Sequence, residues 1–191
     1  MKNIILKSSL ITVAALAAAG ILIFSLWILI SPQSMATVSE KLGNYNFAVT
    51  CANLKYKYSD ETIDLARCAE DSILSDENKL IVKYCEKLID RKDFDELCLR
   101  RNEELARTQY GTLTTDYETY IRSNLAVAQY RAGDLKKAVI TAESGKEVAC
   151  FKRLVIEIIL KGSQEDMEKI LTLPTQTAAI EYIKSILNLP R

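Results

Sequence analysis

The sequence is poor in three residue types that matter for chemistry and for turns: it has no histidine, six glycines and three prolines in 191 residues. Without histidine there is no Ser–His or Cys–His nucleophile pair and no His-ligated metal site. The glycines are scattered singly, so the chain has no glycine-rich phosphate-binding loop. Basic and acidic side chains balance at 25 each, which leaves no basic excess for nucleic acid. We therefore expect a protein that is not an enzyme and that binds no cofactor, metal or nucleic acid.

The residues that the chain does contain favour helices. Hydrophobic residues make up 49% of the sequence and charged residues 26%, a balance typical of a globular protein. Leu, Ile, Ala, Glu and Lys are frequent over long stretches, and turn-forming residues are too few for an all-β fold. The composition therefore predicts an all-α protein.

The first 34 residues have the features of a membrane anchor. Residues 8–30 carry no charged side chain. As a helix they would reach roughly 34 Å, enough for a hydrocarbon core of about 30 Å. Trp27 lies near the far end, where an indole favours the membrane interface, and Pro32 is expected to end the helix. The pattern predicts one transmembrane helix.

A cleavable signal peptide is the alternative interpretation of this segment. A signal peptide has an apolar region of about 7–15 residues and then a small-x-small cleavage site, whereas this run is longer and its best candidate site, at residues 34–36, follows a proline. Lys2 and Lys7 precede the run and only Lys41 soon follows it, which favours a cytoplasmic amino terminus. We therefore predict a single-pass protein of the cell membrane, with an anchor at 1–34 and an extracytoplasmic helical domain at 35–191.

Turns in the helical domain recur about sixteen residues apart, near 43, 59, 75 and 92, so a pair of helices repeats in about 33 residues. Such a period predicts an α-solenoid, in which helical hairpins stack. A generic helical bundle is the alternative.

One stretch of the domain resembles the tetratricopeptide repeat. The residues that carry the resemblance are Leu125, Ala126, Tyr130, Gly133, Asp134 and Ala138. The resemblance implies that a first helix ends at the Gly-Asp turn, that the alanines allow close helix approach and that the tyrosine fills the space between hairpins. Gly43 and Ala48 look like parts of a second copy. The match departs from the family at Gly145, where the usual proline is missing, and at 108–114, which breaks the period.

Four cysteines, Cys51, Cys68, Cys85 and Cys98, fall on four successive predicted helices. Cys51 and Cys68 are equidistant from the turn near 59, and Cys85 and Cys98 from the turn near 91, so each pair could clasp a hairpin as a disulfide. Four cysteines allow three connectivities, and small buried thiols at helix contacts are the alternative. The extracytoplasmic location favours at least one bridge. Cys150 is expected in the core, with an intermolecular bridge as the alternative.

Tyr110, Tyr117 and Tyr120 form a cluster beside the loose segment at 108–114. Tyrosines mostly serve as core or boundary residues, but they are also enriched where proteins bind partners, so this cluster is a candidate partner patch.

Two functions are consistent with the sequence. The first is a membrane-anchored, non-enzymatic module that binds a protein or peptide. The second is a structural or assembly subunit of a cell-envelope complex that associates through its transmembrane helix.

Overall fold

A computed structural model describes residues 2–106, 116–145, 148–166 and 168, with side chains described from Ile11 onward. All regular structure in these ranges is helical and they contain no strand, so the predicted all-α class is confirmed. The helices are α1 (Lys2–Ile30), α2 (Pro32–Lys41), α3 (Tyr45–Ser59), α4 (Thr62–Ser75), α5 (Asn78–Ile89), α6 (Phe94–Ala106), α7 (Tyr117–Arg131), α8 (Leu135–Glu143) and α9 (Val148–Lys161). The expected helix at 177–187 and the loose segment at 108–114 lie outside the described residues.

Helix α1 is long and apolar enough to cross a membrane over Ile11–Ile30, the one such helix in the described part of the chain. Its side chains in this segment are exposed apart from Ile28, which is half-buried. A single non-helical residue, Ser31, separates α1 from α2. Pro32 then occupies the start of α2, where its missing N–H leaves no helical hydrogen bond unmade.

The remaining helices form a stack in which most neighbours in sequence are neighbours in space. Helix α3 packs between α2 and α4, α5 packs against α4 and α7, and α7 packs against α8 and α9. The core is continuous from α2 to α7, and a second cluster joins α7, α8 and α9. Most of these helices bury one face, whereas α7 is buried on nearly all sides, with 11 of its 15 residues buried.

Two turns in the stack have the same hydrogen-bond geometry. Gly43 (φ 72°) and Gly133 (φ 89°) both adopt the left-handed conformation that glycine tolerates best. The next residue, Asn44 or Asp134, donates its backbone N–H to the carbonyl five residues earlier at 2.9 Å. The side chain of Asn44 or Asp134 then accepts a hydrogen bond from the backbone three residues on, which caps the following helix. The helix–turn–helix predicted around Gly133 is therefore present, with an equivalent turn at Gly43.

Helix α6 departs from the stacking order. It packs against α7 and α4, while the space beside α5 is taken by α7. Phe94, Leu97 and Cys98 form its buried face. The helix therefore packs on α7 and α4 and does not pack on α5 as a hairpin.

Candidate functional site

A candidate partner surface is a groove between α5, α7 and α8, with a volume of about 300 Å³. We call it the α5–α8 groove. Its apolar lining comes from Ile89, Leu125 and Ile140. Leu125 is buried at the base, whereas Ile140 leaves 55% of its surface exposed. Such an exposed apolar side chain beside a recess can contribute to binding through further burial.

Buried polar contacts brace the α5–α8 groove. The Gln129 amide on α7 donates to Glu86 Oε1 on α5 at 2.9 Å, and its oxygen accepts from Thr141 Oγ1 on α8 at 2.7 Å. Gln129 is buried, so these bonds satisfy polar atoms that cannot reach water. Lys137 Nζ lies 3.9 Å from Glu86 Oε1. One side chain thereby fixes the three helices that line the groove, and charges of both signs border it.

A second polar cluster lies inside the stack, where α2 meets α4. Arg67 donates from Nε to Glu40 Oε1 at 3.0 Å and from its terminal nitrogen to Thr37 Oγ1 at 2.7 Å. Asp71, one turn further along α4, is only 2% exposed. Its burial and the neighbouring Glu40 carboxylate raise the pKa of Asp71 from 3.8 to about 7. No donor among the described residues reaches Asp71 Oδ2. Two ionised carboxylates cannot bond to each other, so a hydrogen bond between Asp71 and Glu40 would need a proton on one of them.

Two of the three tyrosines of the candidate partner patch can be placed, and they are not equally accessible. Tyr117 is buried and donates its hydroxyl to Glu70 Oε1 at 2.8 Å, while Arg101 of α6 bonds the same carboxylate. Tyr120 is half-buried, with its ring 6.4 Å from that of Tyr117. Tyr110 lies outside the described residues. The ring of Tyr117 therefore belongs to the core and is unavailable to a partner, and Tyr120 remains a candidate.

The predicted disulfides are wrong. No disulfide joins any of the cysteines at 51, 68, 85, 98 and 150, and all five are buried. Two residues at equal distance from a turn lie at the same level along a helical hairpin. Their side chains need not point towards each other, which a disulfide requires. In addition, α5 and α6 do not form the hairpin that a Cys85–Cys98 bridge requires. The alternative, small thiols at close helix contacts, describes these residues correctly.

The thiols are also poor nucleophiles in this setting. Burial raises the pKa of Cys68 to about 12 and that of Cys150 to about 11, so both stay protonated at neutral pH. Cys150 directs its Sγ to the Thr119 carbonyl oxygen at 3.7 Å. Its role in the structure is that of a core residue between α9 and α7.

The residues behind the tetratricopeptide resemblance come together at two sites. Ala126 and Ala138 are fully buried in the second cluster, where the backbones of α7 and α8 approach closely. Tyr130 is half-buried against this cluster, and its hydroxyl lies 3.3 Å from Asp166 Oδ2. Ala48 is fully buried near the other turn.

The sequence does not distinguish Glu86, Gln129 and Asp71 from polar residues that face solvent. Polar residues at helical spacing look alike whether they face solvent or a neighbouring helix, and only the stacking order distinguishes the two. Comparison of the chain with protein-family models, curated proteins and solved structures gave no significant match.

Proposed function

We propose that this protein is a membrane-anchored, non-enzymatic interaction module, in which α1 spans the membrane and the helical domain binds a protein or peptide segment. The observation that carries the proposal is the α5–α8 groove, whose walls are fixed by Gln129 and whose apolar lining includes the exposed Ile140. A preformed recess needs little ordering when a partner binds. Its apolar base and mixed charges suit a peptide segment that carries an apolar anchor residue.

The exposed apolar surface of α1 supports the anchor. Over Ile11–Ile30 the helix buries almost nothing against the described body, and apolar side chains exposed over 20 residues are stable in lipid and unstable in water. Lys2 and Lys7 before the span support a cytoplasmic amino terminus and therefore an extracytoplasmic helical domain. The equivalent turns at Gly43 and Gly133 support a likeness to stacked tetratricopeptide hairpins.

Assembly through α1 is the second candidate function. The same exposed helix that suits lipid can also pack against a transmembrane helix of another subunit, because no described part of this chain covers it over Ile11–Ile23. In that case the helical domain would follow its anchor into a complex without using the α5–α8 groove.

A matched pair of substitutions separates the two functions in the full-length chain. Ile140→Glu places a charge in the groove, and Ile156→Glu places the same charge on α9, where Ile156 is exposed to a similar extent, 42%. Partners would be cross-linked in intact cells and identified by mass spectrometry. We expect a cross-linked partner that wild type and Ile156→Glu retain and that Ile140→Glu loses. Retention by both variants, with loss when α1 is replaced by an unrelated apolar helix, would instead establish assembly through α1.

A further inference from the structure

The end of α1 lies against the helical body. The ring of Phe24 stacks on that of Phe47 in the first turn of α3, with centroids 6.2 Å apart and planes 14° apart. Ile28, one turn further along α1, packs against the larger core cluster. Phe24 and Ile28 are four residues apart and therefore share one face of the helix. The last two turns of α1 are thus in contact with the body on that face.

This contact falls within the apolar segment. Phe24 lies six residues before the end of the segment at Ile30, which corresponds to about 9 Å along the helix axis. The 20 residues of Ile11–Ile30 extend roughly 30 Å, about the thickness of the hydrocarbon core. If the whole segment crosses the membrane, Phe47 lies beside it at the depth of the interface or below.

The connection between α1 and the body is too short for the body to move away from the end of α1. Ser31 is the only residue between α1 and α2, and one residue spans at most about 3.6 Å. Its backbone is also tied on both sides, because it donates to the Trp27 carbonyl at 2.9 Å and accepts from Met35 N at 3.2 Å. Pro32, the next residue, is buried.

We propose that the corner between α2 and α3, residues 41–47, is immersed in the membrane interface beside the anchor and contacts lipid. The inference rests on the proposed function, since it requires α1 to span the membrane. It adds a lipid-binding surface on the folded domain and fixes which side of the stack faces the bilayer.

The chemistry of the corner suits an interface. Leu42 is 78% exposed, more than any other large hydrophobic side chain of the described body outside α1. Lys41 beside it is exposed, which suits contact with lipid phosphate, and Tyr45 and Phe47 are half-buried. An aliphatic side chain, a basic side chain and aromatic rings are the combination that favours the boundary between headgroups and acyl chains.

Tryptophan fluorescence of the full-length chain in lipid vesicles tests this placement. Trp27 is the one tryptophan, so W27F/L42W carries a single probe at the corner. W27F/L99W carries the same probe at a leucine of α6 that is 67% exposed and serves as the matched control. The vesicles contain phosphatidylcholine and phosphatidylglycerol, with or without bromine on the acyl chains near the headgroup. Acrylamide probes access from water.

We expect bromolipid to quench W27F/L42W and acrylamide to quench it weakly, with the opposite pattern for W27F/L99W. If W27F/L42W behaves like the control, or is shielded from both quenchers by a protein contact, the corner does not lie in lipid and the inference is overturned. The fluorescence of Trp27 in the wild-type protein tests the transmembrane anchor independently of the corner. Quenching of Trp27 by bromolipid preserves the transmembrane assignment, whereas a Trp27 that bromolipid does not quench overturns the anchor and the corner together.

Discussion

The buried carboxyl of Asp71 makes the stability of the helical stack depend on pH, and replacing it by asparagine should remove the contribution of this residue. Asp71 sits between α2 and α4 with 2% of its surface exposed, beside the carboxylate of Glu40. Asparagine has nearly the same shape, and its amide can donate to Glu40 as a protonated aspartic acid does. Asp71→Asn therefore imitates the protonated form at every pH.

Because the pKa of Asp71 is raised by folding, the free energy of unfolding should fall as the pH rises. The pKa of Asp71 is raised from 3.8 to about 7 in the folded chain, so folding favours the protonated acid. This contribution is fully present below about pH 4 and is lost as the pH rises through about 7. At about 1.4 kcal/mol per pH unit, the interval from 3.8 to 7 sets an upper limit of about 4 kcal/mol. Because solvent screening reduces this limit, we expect about 2 kcal/mol.

Urea unfolding of the full-length chain in detergent micelles, followed by circular dichroism from about pH 5 to about pH 8, measures the effect. The free energy of unfolding of wild type should fall relative to that of Asp71→Asn by about 1 kcal/mol over this range, because only the part of the interval above pH 5 lies within it. Lowered pKa values, such as those of Asp93 and Glu157, act at more acidic pH and leave this window unaffected. Asp95→Asn, at an exposed position on α6, should keep the wild-type slope. Parallel pH profiles for wild type and Asp71→Asn would refute the assignment of a raised pKa to the buried carboxyl of Asp71.

The glycine turn, the buried cysteine thiols and the side of the membrane that holds the helical domain can each be tested by substitution or labelling. Gly133→Ala should lower the free energy of unfolding by about 1 kcal/mol, because a side chain at φ 89° is strained although nothing crowds it, whereas Gly20→Ala in α1 should cost nothing in the same urea titration. Thiol titration under non-reducing conditions should find no reactive thiol in the native chain and five in the unfolded chain; three or one would indicate disulfides. Tyr58→Cys introduces a thiol at a position that is 70% exposed. A membrane-impermeant maleimide should label it in intact cells, and labelling only after permeabilisation would place the helical domain in the cytoplasm.

Local patterns predicted most of the helices and the two glycine turns. Apolar residues three and four apart identify a helix and its buried face, and Gly-Asn or Gly-Asp marks where one helix ends and the next is capped. Gly43 and Gly133 could be found in this way because their conformation is a property of a few adjacent residues. The apolar run before Pro32 likewise defines α1 without reference to the rest of the fold.

Features that depend on which helix packs against which could not be predicted. The amphipathic pattern of α6 shows that it buries one face, but not that this face covers α4 and α7 instead of α5. The Cys85–Cys98 disulfide was wrongly predicted for the same reason, because the sequence does not show that α6 packs away from α5. Gln129 and Asp71 look like ordinary polar positions in the sequence. Gln129 becomes a link between helices only because α5 and α8 pack beside it, and Asp71 becomes buried only because α2 packs beside α4.

In the proposed function, α1 holds the folded helical domain at the membrane. Alkaline carbonate extraction of membranes that contain the full-length chain distinguishes this anchor from peripheral attachment, because carbonate releases peripheral proteins and retains those with a transmembrane helix. We expect the chain to stay in the membrane pellet and to keep its amino-terminal residues, as N-terminal sequencing can show. Release into the supernatant, or a soluble product that begins near residue 35, would contradict it.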